Sequence, residues 1–182
     1  MKRCALYILF FFASSLFFAE GAGDMGRTEE LPSAFHDIEL GMSLENVKET
    51  LEKDESFIYR GEKDISLLGN KNRSLIESEG SHFVRRGLFQ FYNERLYTII
   101  VQMNPENIDY YSIYSSLVEK YGEPGLVDQK KALWENDRVR LVLERPLTIK
   151  YIDTATFNEI LATRSKRRAT SDEVRERFVN AF

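Results

Sequence analysis

Apolar side chains recur along the chain with two different spacings, and the change from one to the other marks out its elements. Leu44, Val47 and Leu51 fall at i, i+3 and i+7. That spacing predicts one apolar face of a helix from about 44 to 53, with Ser43 placed to cap it. A short alternation at Ile38-Glu39-Leu40 precedes it, and Gly41-Met42-Ser43 reads as the turn between them. From His82 the period shortens to two. Phe83 to Tyr92 and Leu96 to Met103 are rich in aromatic and β-branched residues, and Asn93-Glu94 has the length of a two-residue hairpin connection. Both faces of this hairpin are partly apolar, which places it centrally in its sheet, covered on more than one side.

The helical period then returns. Tyr110, Tyr114, Leu117 and Tyr121 predict a helix from about 105 to 121. Asn104 is its expected cap, Pro105 its first residue, and Gly122 and Pro124 its end. Ala132-Leu133-Trp134 and Val139 to Leu143 predict a second hairpin around Glu135-Asn136-Asp137-Arg138, with one face buried and the other wet. Pro146 ends that strand or marks an edge, and Leu147 to Ile152 predict a further strand. Thr156 with Glu159, and Thr170 with Glu173, have capping-box spacing, so two helices are expected near the end, the second a short tail. Residues 54–80 carry the weakest period. Phe57-Ile58-Tyr59, Ile65 to Leu68 and Leu75-Ile76 read as short strands, broken by turns at Gly61, Gly69 and Asn70-Lys71-Asn72.

A helix followed by a hairpin, twice over, is the coarse pattern. It predicts an α+β domain of two layers, with helices packed on one face of an antiparallel sheet, and leaves open a helix-plus-hairpin internal repeat. The chain divides into a signal peptide at 1–21, a flexible lead-in at 22–36, the α+β domain at 37–153 and a helical tail at 154–182.

The leader is what composition changes most. Met1-Lys2-Arg3 is followed by the uncharged run Cys4 to Phe18 and then by Ala19-Glu20-Gly21-Ala22-Gly23. Basic, apolar and small residues in that order read as a secretory signal peptide, too short in its apolar part for a spanning helix. Cleavage after Gly21 would remove Cys4, the single cysteine, along with Lys2, Arg3 and Glu20, moving the net charge from −4 to −5. The exported chain then has neither disulfide nor thiolate chemistry. Its acidic balance speaks against nucleic-acid binding. The one basic run, Arg164-Ser165-Lys166-Arg167-Arg168, reads as a solvated helix end, with contact to an anionic surface as the alternative.

Candidate chemistry is sparse. No catalytic, cofactor-binding or metal-ligating residue is assigned, because no His, Cys or carboxylate spacing matches a zinc or calcium site and no Gly-rich phosphate loop is present. His36-Asp37 reads as an exposed pair in the lead-in, and Ser81-His82 as a turn serine beside a strand histidine. The carboxylate pairs Glu77/Glu79 and Glu135/Asp137 flank expected turns. Asn72-Arg73-Ser74 has glycosylation spacing. Tyr111 falls off the main helical stripe, and Arg138 and Arg140 share a wet strand face, so these three are the expected partner contacts.

Leu40-Gly41-Met42-Ser43-Leu44-Glu45-Asn46-Val47-Lys48-Glu49-Thr50-Leu51 resembles the opening of the small outer-membrane-assembly lipoproteins of the BamE/SmpA type and of the β-lactamase-inhibitor-protein repeats. Tyr121-Gly122-Glu123-Pro124 is similar to the close of the helical part of such repeats. The chain departs from them in having no lipobox cysteine and no Gly-x-Pro after Leu51. The resemblance implies a non-enzymatic envelope module that works by binding protein. The expectation is therefore an exported, periplasmic or envelope-associated protein-binding module with no membrane span after cleavage. An exported inhibitor or small-ligand binder using residues 54–80, and a carboxylate-dependent hydrolase, are the alternatives.

Overall fold

The structure is a computed structural model that describes residues 30–67 and 72–182. The expected signal peptide, the lead-in up to residue 29 and the turn around Gly69 lie outside the described residues.

Two short strands, β1 (Ala34–Phe35) and β2 (Ile38–Glu39), form a hairpin of their own that crosses the expected boundary at residue 36, with β1 inside the segment read as lead-in. His36 makes its turn at a φ of 52°. There follow α1 (Leu44–Leu51), β3 (Phe57–Ile58), a 3-10 turn at Gly61–Asp64, β4 (Ile65–Leu67) and β5 (Arg73–Gly80). Next come β6 (Val84–Tyr92), β7 (Arg95–Met103), α2 (Tyr110–Tyr121), β8 (Leu126–Val127) and β9 (Lys131–Glu135). The chain closes with β10 (Val139–Glu144), β11 (Thr148–Asp153) and α3 (Thr154–Val179). Strands β3 to β11 build one sheet in the order β3-β5-β6-β7-β11-β10-β9-β8, with β4 also on β5, and every pairing is antiparallel.

This architecture corrects the two-layer expectation. The molecule is mainly one large antiparallel sheet with three helices, one of them at the C-terminus, and not a sheet carrying a helical layer. Length explains why. The path of eight strands is on the order of 35 Å wide at the usual strand spacing. Helices of 8 and 12 residues, roughly 12 and 18 Å long at 1.5 Å per residue, cannot cover it. Segment 54–80 supplied the extra width. Its last third is not a short strand at Leu75-Ile76 but the eight-residue β5, paired with β6 from Arg73 to Glu79.

One face of the sheet is apolar and holds the core. Ile76, Phe89, Phe91, Ile99, Val101, Leu141, Leu143, Ile149 and Tyr151 lie on it, joined by Val47 and Leu51 from α1 and Leu117 from α2. The small hairpin closes part of this face, with the Phe35 ring 6.0 Å from Phe57 and 6.4 Å from Tyr151. The opposite face is mixed. Register places Glu77, Leu88, Ile100, Lys150, Val142 and Leu133 in one row across six strands. The neighbouring row is Gln90, Thr98, Ile152, Arg140 and Glu135. The β6–β7 hairpin turns at Asn93 and Glu94 with φ values of 49° and 62°, the left-handed geometry that a two-residue connection requires.

Three helix boundaries differ from expectation or confirm it in an informative way. Ser43 caps α1, accepting from the Asn46 N–H at 3.2 Å. The second helix starts five residues later than the pattern suggested, because Asp109 takes both the Ser112 N–H and the Ser112 hydroxyl while Asn104 closes only a turn with Glu106 and Asn107. The last two expected helices are one continuous α3 of 26 residues, capped by Asp153 on the Thr156 N–H at 2.7 Å. Thr170 caps nothing; its hydroxyl donates back to the Lys166 carbonyl inside the helix.

Candidate functional site

The root of α3 packs on the mixed face of the sheet and leaves a cavity where the two separate. The Arg140 guanidinium lies 5.4 Å from the centre of the Phe157 ring, Tyr92 donates to Glu159 at 3.3 Å, and Ile160 is buried. Beyond Ile160 the helix continues without burial. There a cavity of about 310 Å³ opens, lined by Asn72, Arg73, Tyr92, Ile160, Thr163, Arg164 and Arg167.

Sheet and helix contribute to it differently. Arg73 is the first residue of β5 and pairs in register with Tyr92 at the end of β6. Its Nη2 donates to the Tyr97 hydroxyl at 3.0 Å, and that hydroxyl donates onward to Gln90 Oε1 at 2.8 Å. Arg73 Nε is buried and has no hydrogen-bond partner. A guanidinium held by a phenol rather than by a carboxylate keeps its charge unbalanced, which is costly where part of the group is withdrawn from water. On the helix side, Ile160, Thr163, Arg164 and Arg167 follow at i, i+3, i+4 and i+7, one stripe facing the sheet. Among the described residues, neither Arg164 nor Arg167 forms an ion pair or side-chain hydrogen bond. Three cations thus border one opening with no carboxylate in its lining.

The expected contact residues stand elsewhere and are not brought together. Tyr111 is 74% exposed at the start of α2, beside a cavity of about 420 Å³ shared with Val127, Asp128 and Arg145. There the Arg145 guanidinium sits 4.0 Å from the centre of the Tyr110 ring, and burial pushes the Tyr110 hydroxyl above its ordinary value. Asp109 at the same mouth is held below the usual carboxylate range by the two hydrogen bonds from Ser112. Arg138 pairs with Glu30 at 3.2 Å. Arg140 bonds Glu135 through Nε at 3.0 Å and again through Nη2. Since Tyr114 packs against Trp134 while the adjacent Glu135 faces Arg140, α2 and Arg140 occupy opposite faces of the sheet.

The histidines and the Glu77/Glu79 pair are also committed. His36 faces Asp54 at 3.0 Å rather than Asp37, and its ring stacks on Phe35 at 4.2 Å. His82 lies in a turn at a φ of 51°, not in a strand, which brings its Nδ1 to 3.1 Å from Ser81 Oγ. The Ser81 hydroxyl spends its one proton on the Glu55 carbonyl, so Nδ1 must donate to it and cannot act as its base. Glu77 pairs with Arg86 at 3.0 Å and Glu79 with Arg60 at 3.7 Å. No three His, Cys, Asp or Glu residues are gathered for a metal ion among the described residues.

A family model, the TP0088 domain, matches residues 33–163. The chain belongs to the TP0088 domain family. The match runs from the small N-terminal hairpin through the whole sheet and ends inside α3, at Thr163, so Arg164, Arg167 and the rest of the helix lie beyond it. No curated protein and no solved structure matches the chain. Among the described residues no helix is long and apolar enough to cross a membrane.

The sequence names Arg164 and Arg167 only within a basic run that reads as a solvated helix end, and Arg73 only within a glycosylation spacing; it does not foresee their meeting at one cavity. A signal was present: arginine occupies the i+4 and i+7 places of a helical stripe that begins with buried Ile160, where apolar side chains are the rule.

Proposed function

We propose that the protein is an exported, non-enzymatic module of the bacterial cell envelope that acts by binding another envelope protein. The reach of α3 carries this reading. Of its 26 residues only Ile160 is buried, and the family match stops before its last 16 residues. Most helical stability in proteins comes from packing an apolar face, which this part of α3 lacks in the isolated chain. Val174 and Phe178 lie at i and i+4, and Phe182 follows just past the helix end. All three are exposed, and the Phe178 and Phe182 rings meet edge-on at 5.2 Å.

The occupant that fits is a protein groove, apolar at its floor and rimmed by carboxylates. Its floor takes Val174, Phe178 and Phe182. Its rim answers Lys166 and Arg168, neither of which has an ion-pair partner among the described residues. The leader, the loss of Cys4 with it, and the resemblance of residues 40–51 to envelope modules support the location.

Two measurements test this. N-terminal sequencing of the mature protein after cell fractionation is expected to start near Ala22 in the envelope fraction; an intact Met1 in the cytosol would contradict export. Chemical cross-linking in cells is expected to yield an adduct with an envelope protein that the double variant Val174→Ser/Phe178→Ser no longer forms.

A further inference from the structure

We propose that the cavity at the root of α3 binds a phosphate group, held between Arg73 on the sheet and Arg164 and Arg167 on the helix. The site is distinct from the distal apolar part of α3 and does not depend on what that part binds.

Three observations converge on it. First, the Arg73 guanidinium is pinned in place by the Tyr97 hydroxyl, itself held by Gln90, with Nε buried and unpartnered. A donor fixed by neutral groups is preorganised for an anion that arrives from outside. Second, Arg164 and Arg167 stand one turn apart on the stripe facing it, free of carboxylate partners. Third, the remaining lining has the composition of a small-ligand site, with Asn72 and Thr163 as uncharged hydrogen-bonding groups and Tyr92 and Ile160 as an apolar wall.

The number of cations selects the ligand class. A single carboxylate has one charge and two oxygens, which one guanidinium satisfies in a forked pair. A phosphate monoester carries up to two charges and three terminal oxygens, enough to engage three guanidinium groups at once. The cavity, about 310 Å³, exceeds what the phosphate itself fills and leaves room for a small organic group against Tyr92 and Ile160. A soluble phosphomonoester and a phosphomonoester lipid headgroup share this chemistry, and the experiment separates them.

The test uses the processed full chain purified from producing cells, labelled with ¹⁵N and studied at low ionic strength. Inorganic phosphate and glycerol 3-phosphate are titrated while the Arg73 Nε–H resonance is followed. The expected result is a saturable shift of that resonance. Arg164→Gln and Arg167→Gln, both exposed in the fold, are each expected to weaken binding about tenfold or more. Arg138→Gln, outside the cavity's lining and paired to Glu30, is expected to leave it unchanged. Flotation with phosphatidylcholine vesicles with and without phosphatidic acid gives the second arm. Saturation by glycerol 3-phosphate together with flotation on phosphatidic acid vesicles but not on phosphatidylcholine alone, lost in Arg167→Gln, assigns a lipid headgroup; saturation by glycerol 3-phosphate without flotation assigns a soluble ligand. A resonance that never saturates with either phosphate, or an equal loss in Arg138→Gln, would overturn the proposal.

Discussion

The Tyr97 hydroxyl accepts from Arg73 Nη2 at 3.0 Å and donates to Gln90 Oε1 at 2.8 Å, so one phenol holds together a cation at the start of β5 and an amide on β6. Tyr97 is itself an extra residue in β7, sitting where the register between β6 and β7 shifts after Gln90. The irregularity turns the phenol onto the mixed face of the sheet, where it meets Arg73.

That relationship makes two substitutions behave unlike their size. Tyr97→Phe removes only an oxygen but leaves a guanidinium N–H and the Gln90 oxygen unpartnered, which is expected to cost about 1–3 kcal/mol. Arg73→Met removes a whole guanidinium yet also removes an unbalanced charge. Its expected change is under about 1 kcal/mol in phosphate-free buffer. Urea unfolding of the two variants checks the order, and a larger loss for Arg73→Met would show that its charge is balanced within the fold.

Two glycines mark close approaches in the sheet and are expected to differ in severity. A Cβ on Gly87 would stand 2.5 Å from Phe57 Cε1 and 2.9 Å from Phe89 Cε2, rings that can shift within the core. A Cβ on Gly80 would overlap the backbone carbonyl of Val84, which cannot move without opening the β5–β6 turn. Gly87→Ala is expected to lose about 1–3 kcal/mol, and Gly80→Ala more. Thermal unfolding of both variants measures the difference.

Much of the local structure was legible in the chain because its determinants are close in sequence. Ser43 and Asn46 make the α1 cap within one turn, and the Asn93-Glu94 connection sets its hairpin by length alone. Where two local solutions competed, the pattern could not decide between them. Asn104 and Asp109 can both cap, and Asp109 wins by binding two groups of Ser112. Thr170 and Glu173 have capping spacing, but no residue before them breaks the helix, so the threonine turns inward to Lys166. Strand β5 was hidden for another reason. Ser74, Glu77, Ser78 and Glu79 give it little apolar alternation, and it is held instead by register with β6. The cavity at the root of α3 is the least legible feature, since it joins Arg73 to Arg164 and Arg167, more than ninety positions away.

One buried and two partly buried tyrosines give the fold an alkaline limit. Burial raises the Tyr151 hydroxyl far above its ordinary value of 10.0, with the nearby Tyr121 adding to the effect, and burial also raises Tyr59 and Tyr110. The unfolded chain therefore loses these protons first. Stability is whole below the unfolded value and falls as pH climbs through it toward the folded values. Denaturant midpoints measured upward from pH 9 are expected to decline beginning near pH 10, and Tyr151→Phe is expected to flatten that decline. An unchanged slope in Tyr151→Phe would show that Tyr151 ionises alike in both states.

The central claim, that the far end of α3 docks into another envelope protein, is tested most directly by a photo-reactive residue placed at Phe178 in cells making the full chain. Phe178 is exposed, so the substitution is expected to leave the unfolding free energy within about 0.5 kcal/mol of the parent. The same residue placed at Ile58, exposed on β3, serves as the control surface. The expected result is a light-dependent adduct from position 178 and none from position 58, with the cross-linked peptide apolar and flanked by Asp or Glu. Equal labelling from both positions, or no adduct from position 178 in a correctly exported chain, would contradict it.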